Sequence, residues 1–246
     1  YEFMKSRGSF YTGRLMSGIG YNLSAMGKNE MAQQYYNRAI EIFYELRLPE
    51  DIAEVYYNRA LNYIMQERYA DAEHDLLISM KVIEKLHLNS LRVCNLSKLY
   101  ALLALAGISR KDRFTCERYL LSCRQFLNYI VEKEKKNNNE EIIHDYAQCD
   151  DDMFLYTFAQ ALLNQYDGNF EGAYDNFEKA EHFLAQAEGN EFFSYRIFRQ
   201  ARMNLFRQTG RTQLYEREEE LLRQHEEMCS EMESSVQMDM LQEIEP

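Results

Sequence analysis

Apolar residues along this chain are grouped in helix-length runs broken by short polar stretches, and two successive stretches match one another. GYNLSAMGKNEMAQQYYNRAIEIF, starting at Gly20, and ALNYIMQERYADAEHDLLISMKVI, starting at Ala60, align over their whole length. Each predicts an apolar helix, a polar break, and a second helix with small residues at fixed offsets. Gly20, Ala32, Tyr36 and Ala39 in the first copy correspond to Ala60, Ala72, Leu76 and Ser79 in the second. Small residues are required where two helices cross so closely that a longer side chain would force them apart. A pair of helices cannot bury its apolar face alone, so such units are expected to stack.

A weaker third copy, KLYALLALAGISRKDRFTCERYLLSC, supplies Tyr100, Leu103, Ala104, Cys116, Leu120 and Cys123. The fourth, DGNFEGAYDNFEKAEHF, carries Phe170, Ala173, Phe177 and Ala180, although its first helix has Thr157 and Gln160 where large apolar residues are usual. A fifth, RMNLFRQTGRTQLYEREEELL, keeps only a helix-break-helix rhythm around Gly210. With their large residue, Leu, Gly and Tyr on the first helix and Ala, Phe or Tyr, and Ala on the second, these copies resemble the tetratricopeptide repeat (TPR) family. The resemblance covers roughly residues 10 to 225. It implies an all-α, right-handed TPR-type α-solenoid of about ten helices. The equivalent positions Ala32, Ala72, Cys116 and Ala173 lie 40, 44 and 57 residues apart, against a standard repeat of about 34. The surplus predicts longer second helices and an insertion.

That insertion is placed at about residues 131–152, VEKEKKNNNEEIIHDYAQCDDD, and its lack of apolar periodicity predicts a solvated loop. The repeat domain is expected to span residues 1–222. Residues 223–246 follow as a capping or connector helix, because Met228, Met232, Val236, Met240 and Ile244 recur at every fourth position. Strict four-residue spacing drifts around a helix, which argues against a long coiled coil.

The net charge of −12 repels phosphate backbones and argues against a nucleic-acid partner. No apolar run approaches the ~20 residues of a membrane span, and no signal-peptide pattern opens the chain, which starts at Tyr1 as an excised piece of a longer protein would. Two prolines and ten glycines fit long helices with short connections. The five cysteines are odd in number and have no metal spacing, so a reducing, cytoplasmic setting is expected. Cys116 and Cys123 fall at small-residue positions and read as small hydrophobes. Asn22-Leu23-Ser24 and Asn95-Leu96-Ser97 match a glycosylation pattern but lie in predicted helices.

Chemistry-bearing clusters are sparse. No phosphate loop, Cys-x-x-Cys pair, His-Glu-x-x-His helix or Gly-x-Ser-x-Gly elbow is present. The five histidines are dispersed; His74 and His182 are expected to face solvent. His144, Asp145, Cys149, Asp150, Asp151 and Asp152 have ligand-type side chains but read as an acidic loop, and Glu216, Glu218, Glu219 and Glu220 as solvated charges on an exposed helix. No catalytic residue, metal or cofactor is assigned.

The resemblance implies that the first helix of each repeat lines a concave groove. Ser17, Tyr21 and Ser24 would contribute from the first repeat, and Tyr57, Leu61, Ile64 and Met65 from the second. Ala101, Leu105 and Ile108 would follow from the third, and Phe158, Leu162 and Tyr166 from the fourth, with Asn58 and Lys98 at the edge. Such an apolar, aromatic-bearing groove suits a protein or peptide partner; the alternative is that adjacent helices or the chain's own terminal helix fill it. The chaperone-binding carboxylate clamp is not expected, since its five positions hold Ser17, Tyr21, Asn58, Lys98 and Leu102 and only two match. HLNSLRVCNLSKLYALLAL and EGNEFFSYRIF are similar to TPR regions that precede GGDEF domains in bacterial diguanylate cyclases. That similarity implies the cytoplasmic sensory or dimerising part of a signalling protein, with a homodimer contact. The alternative is a peptide-pheromone-binding TPR regulator of the Gram-positive quorum-sensing type, although no helix-turn-helix precedes Tyr11.

Overall fold

The computed structural model describes residues 2–85, 90–136, 149–186 and 191–242, with side chains described for 8–85, 96–129, 152–186 and 195–228. Among the described residues the fold is all-helical. The helices are α1 (Glu2–Ala25), α2 (Asn29–Leu46), α3 (Pro49–Met65), α4 (Tyr69–Ile83), α5 (Ser90–Ser109), α6 (Arg113–Lys136), α7 (Cys149–Tyr166), α8 (Phe170–Gln186), α9 (Glu191–Gln208) and α10 (Thr212–Gln242). They form two compact units, residues 1–193 and 194–246.

One turn recurs between the members of every pair. Gly27, Glu67, Lys111, Gly168 and Gly210 all take left-handed backbone, with φ between 58° and 75°. The next residue's N–H then donates to a carbonyl five residues back: Lys28 to Leu23, Arg68 to Tyr63, Asp112 to Gly107, Asn169 to Asn164 and Arg211 to Phe206, at 2.8–2.9 Å. A second bond links each left-handed residue to the carbonyl three back. This two-bond Schellman arrangement satisfies the orphan carbonyls at the helix end and reverses the chain in two or three residues. Glu67 and Lys111 hold the same backbone at a cost of roughly 1–2 kcal/mol that glycine avoids.

In the first unit, α1 packs on α2, α3 on α4, α5 on α6 and α7 on α8, and the pairs join through α2–α3, α4–α5 and α6–α7 contacts. The small residues expected at the crossings and their large neighbours form the core. Ala32, Tyr36, Ala39, Ala60, Ala72, Leu76, Ala104, Cys116, Cys123, Ala173, Phe177 and Ala180 are fully buried. A Cβ on Gly20 would lie 2.9 Å from the Tyr36 ring, so only glycine lets α1 approach that ring. The Tyr36 hydroxyl and Ser24 Oγ lie 3.3 Å apart, and Ser24 also donates to the Gly20 carbonyl. Burial pushes the Tyr36 phenol up to about 12. Between α3 and α4, Arg59 forks onto the buried Asp75 at 2.7 and 2.9 Å and lies over the Tyr56 ring.

The second unit is a hairpin of α9 and α10 turned at Gly210. Arg199 Nη1 donates to Glu218 Oε2 at 2.8 Å, Arg202 lies 3.4 Å from Glu218 Oε1, and all three residues are buried. Tyr195 stacks on His225 at 4.4 Å, and Arg207 donates to the Tyr215 hydroxyl.

Three sequence expectations change here. Helix α6 runs to Lys136 and α7 starts at Cys149, so both ends of the expected 131–152 loop are helical; residues 137–148, with His144 and Asp145, lie outside the described residues. Helix α10 passes unbroken through residues 222 and 223, so the terminal segment is continuous with the second helix of the fifth pair. The side chains of Met232, Val236, Met240 and Ile244 lie outside the described residues. Glu218 is not a solvated charge, because Arg199 and Arg202 pair with it from the facing helix. Glu216, Glu219 and Glu220 are exposed as expected.

Two neighbouring glycines of α1 should respond to alanine with opposite signs. Gly20→Ala forces a Cβ into the Tyr36 ring and should lower stability by ~1–3 kcal/mol. Gly18→Ala, whose Cβ would meet nothing within 4 Å, should raise it by roughly 0.5–1 kcal/mol through helix propensity. Denaturant melts of both variants test this, and equal shifts would contradict the packing. Likewise Glu218→Ala should cost about 1–3 kcal/mol by removing the buried carboxylate that Arg199 and Arg202 share, while Glu219→Ala stays within about 0.5 kcal/mol.

Candidate binding cleft

The first helices of successive pairs do not approach one another equally. Helix α5 carries Ala101, Ala104 and Ala106, α7 carries Ala159 and Ala161, and the two helices pack directly. Helices α1 and α3 barely touch. Between them opens a cleft of about 420 Å³, within the size range of small-ligand and side-chain sites.

Its walls are Arg14, Ser17, Gly18, Tyr21 and Asn22 from α1, and Asp51, Glu54 and Asn58 from α3. Phe43 and Val55, both buried, form the floor. The α1 residues recur at three- and four-residue steps, which brings 14, 18, 21 and 22 to one face, and 51, 54 and 58 share a face of α3 in the same way. Pro49 starts α3, which puts Asp51 in its first turn, where the helix dipole favours a carboxylate. Arg14 spans the cleft to this carboxylate, with Nε and Nη2 each 3.1 Å from Asp51 Oδ1, and rests on the Phe10 ring. Ser17, Asn22, Glu54 and Asn58 have no side-chain hydrogen bond or ion pair among the described residues.

The expected groove is therefore divided. Tyr21 and Asn58 line the cleft, and Tyr57, Leu61 and Met65 are half-buried on α3. Leu105, 3% exposed, and Phe158, 1% exposed, are not groove residues. The close approach of α5 and α7 buries them, and Phe158 packs on the Phe154 and Phe177 rings at 5.8 and 6.0 Å. Leu162 is half-buried, and Tyr166, at the end of α7, is exposed. Lys98 is drawn to the fully buried Asp152 at 3.9 Å, and Ser97 donates to the same carboxylate at 2.6 Å. Asp152 is thus a packing residue of the first turns of α7, not part of a solvated acidic loop.

The cleft is also more polar than the apolar groove expected of the repeats. Arg14, Gly18, Asn22, Asp51 and Glu54 are not among the groove positions that the sequence predicts. Arg14 and Asp51 are 37 residues apart, and their pairing depends on how the first two helix pairs stack. Gly18 carried the one readable signal, since a mid-helix glycine that packs against nothing lowers helix stability without serving the core.

Elsewhere, His74 is 73% exposed at its side chain and His182 is exposed. Ser24, of the Asn22-Leu23-Ser24 triplet, is buried inside α1. Cys116 and Cys123 are fully buried, and burial pushes the Cys116 thiol up to about 12 and raises that of Cys123. Among the described residues, no three His, Cys, Asp or Glu side chains are placed to hold a metal ion. No described helix is long and apolar enough to cross a membrane. Compared with models of protein families and with curated proteins, the chain gives no match.

The buried thiol predicts a pH dependence. An unfolded cysteine ionises near ~8.5, whereas Cys116 in the fold ionises at about 12. Between these values the unfolded state holds fewer protons, so this contribution to stability is complete below the lower value and is lost as pH rises. Cys116→Ala should flatten the fall in stability between pH about 8.5 and 10. An unchanged slope would contradict the burial.

Proposed function

We propose that the chain is a non-catalytic, TPR-like right-handed α-solenoid that binds a protein or peptide partner, with the cleft between α1 and α3 as its contact surface. The observation that carries this reading is the cleft's composition. Four polar side chains, those of Ser17, Asn22, Glu54 and Asn58, face an open space without using their hydrogen-bonding capacity among the described residues. An extended peptide presents a backbone donor and acceptor at each residue, which suits amide side chains on facing helices. Gly18 supports the same reading, because it leaves the α1 backbone open to close approach where nothing in the fold requires it.

The five equivalent turns and the small-residue crossings support the repeat architecture. The similarity of HLNSLRVCNLSKLYALLAL and EGNEFFSYRIF to regions preceding GGDEF domains supports a place in the cytoplasmic sensory or dimerising part of a bacterial signalling protein. The bound partner would then bias the arrangement of the helix pairs that carry the cleft.

A displayed library of random peptides panned on the chain supplies binders for the test. Gly18→Trp should fill the cleft while leaving the fold intact, since nothing lies within 4 Å of its Cβ. It and Asn58→Ala should each weaken the selected peptides by about tenfold or more, as expected for residues at the centre of an interface. Leu121→Ser, on an exposed position of α6, should leave binding unchanged. Full affinity for Gly18→Trp would overturn the cleft as the contact surface.

A further inference from the structure

We infer that the cleft between α1 and α3 selects a basic side chain, a lysine or arginine of a bound peptide, with Glu54 as its counter-ion. This rests on the cleft being the peptide-binding surface and adds the chemistry that it recognises.

Three charged groups line the cleft: Arg14, Asp51 and Glu54. Arg14 and Asp51 neutralise one another through the paired 3.1 Å contacts, which fixes the guanidinium against α3. The Glu54 carboxylate has no ion pair or hydrogen bond among the described residues and is exposed. Among the described residues, the uncompensated charge of the cleft is therefore a single negative one. A carboxylate or phosphate ligand would share Arg14 with Asp51 and approach both Asp51 and Glu54 against like charge, so an anion is the poorer match. A cation meets an acceptor-rich wall instead. Asn58 lies one helical turn beyond Glu54 on α3, and Asn22 lines the opposing helix; their carbonyl oxygens can accept the N–H groups that a carboxylate alone leaves unmatched. Half-buried Tyr21 and the floor residues Phe43 and Val55 suit the aliphatic stem that carries such a head group. The net charge of −12 adds a long-range attraction of the same sign.

The test pans one library of random peptides in parallel on the wild-type chain and on Glu54→Gln, a substitution of an exposed side chain that keeps its shape. Wild-type binders should share a lysine or arginine at a fixed position, absent from those selected on Glu54→Gln. For one such peptide, measured by fluorescence polarisation, replacing the basic residue with norleucine should weaken binding roughly tenfold, as should Glu54→Gln. The two changes together should do no more than either alone, and the wild-type affinity should fall with added salt. Peptides that depend on the cleft, losing affinity to Gly18→Trp, but carry no basic residue or bind Glu54→Gln equally well would overturn this inference and leave the cleft as the binding surface. Peptides indifferent to Gly18→Trp, or none enriched, would overturn both.

Discussion

The architecture depends on how closely two helices of a pair can cross. At Gly20 the α1 backbone meets the face of the Tyr36 ring at a distance that admits no side-chain carbon. Alanine or cysteine serves at Ala32, Ala72, Cys116 and Ala173. The crossing is possible only because the chain reverses within two or three residues, and the left-handed turn at positions 27, 67, 111, 168 and 210 does this while satisfying the freed carbonyls. Where the turn residue is Glu67 or Lys111 the backbone is strained by roughly 1–2 kcal/mol. Burial of a single large side chain such as Leu76, worth about 1.5–3 kcal/mol, outweighs that strain.

Equal pairs do not make equal inner surfaces. Alanines on α5 and α7 let those helices meet and seal Leu105 and Phe158 between or beneath them. Helices α1 and α3 present Arg14, Asp51, Glu54 and Asn58 to one another instead. Side chains of that length and polarity hold helices apart, and the ion pair from Arg14 to Asp51 bridges the gap without filling it. Space is left where the polar groups are, and the apolar surface is consumed where the small residues are.

The features written in local spacing were legible in the sequence. The helix pairs follow from apolar periodicity, and the crossings follow from Gly20, Ala32, Ala72 and Ala173, all buried. Three of the five turns were visible as glycines, but Glu67 and Lys111 hold the same backbone without the residue that signals it. Long-range charge pairing was invisible. Glu218 sits in a run of acidic residues that reads as a solvated face, and only the facing α9 brings Arg199 and Arg202 to it. Lys98 read as a groove cation until its partner, Asp152, proved to be packed within the fold. The cleft escaped detection for the same reason, since it is defined by two helices failing to meet. The resemblance placed Tyr21 and Asn58 at inner positions but carried no information about how far apart those positions would be.

Photo-crosslinking locates the bound chain most directly. A benzophenone side chain placed at position 22 on α1, or at position 162 on α7, samples the open and the sealed parts of the inner surface separately. With a peptide selected on the wild-type protein, crosslinking from position 22 and not from position 162 is the result that the cleft predicts. Crosslinking from position 162 alone would place the partner on the α5–α7 face and contradict the account.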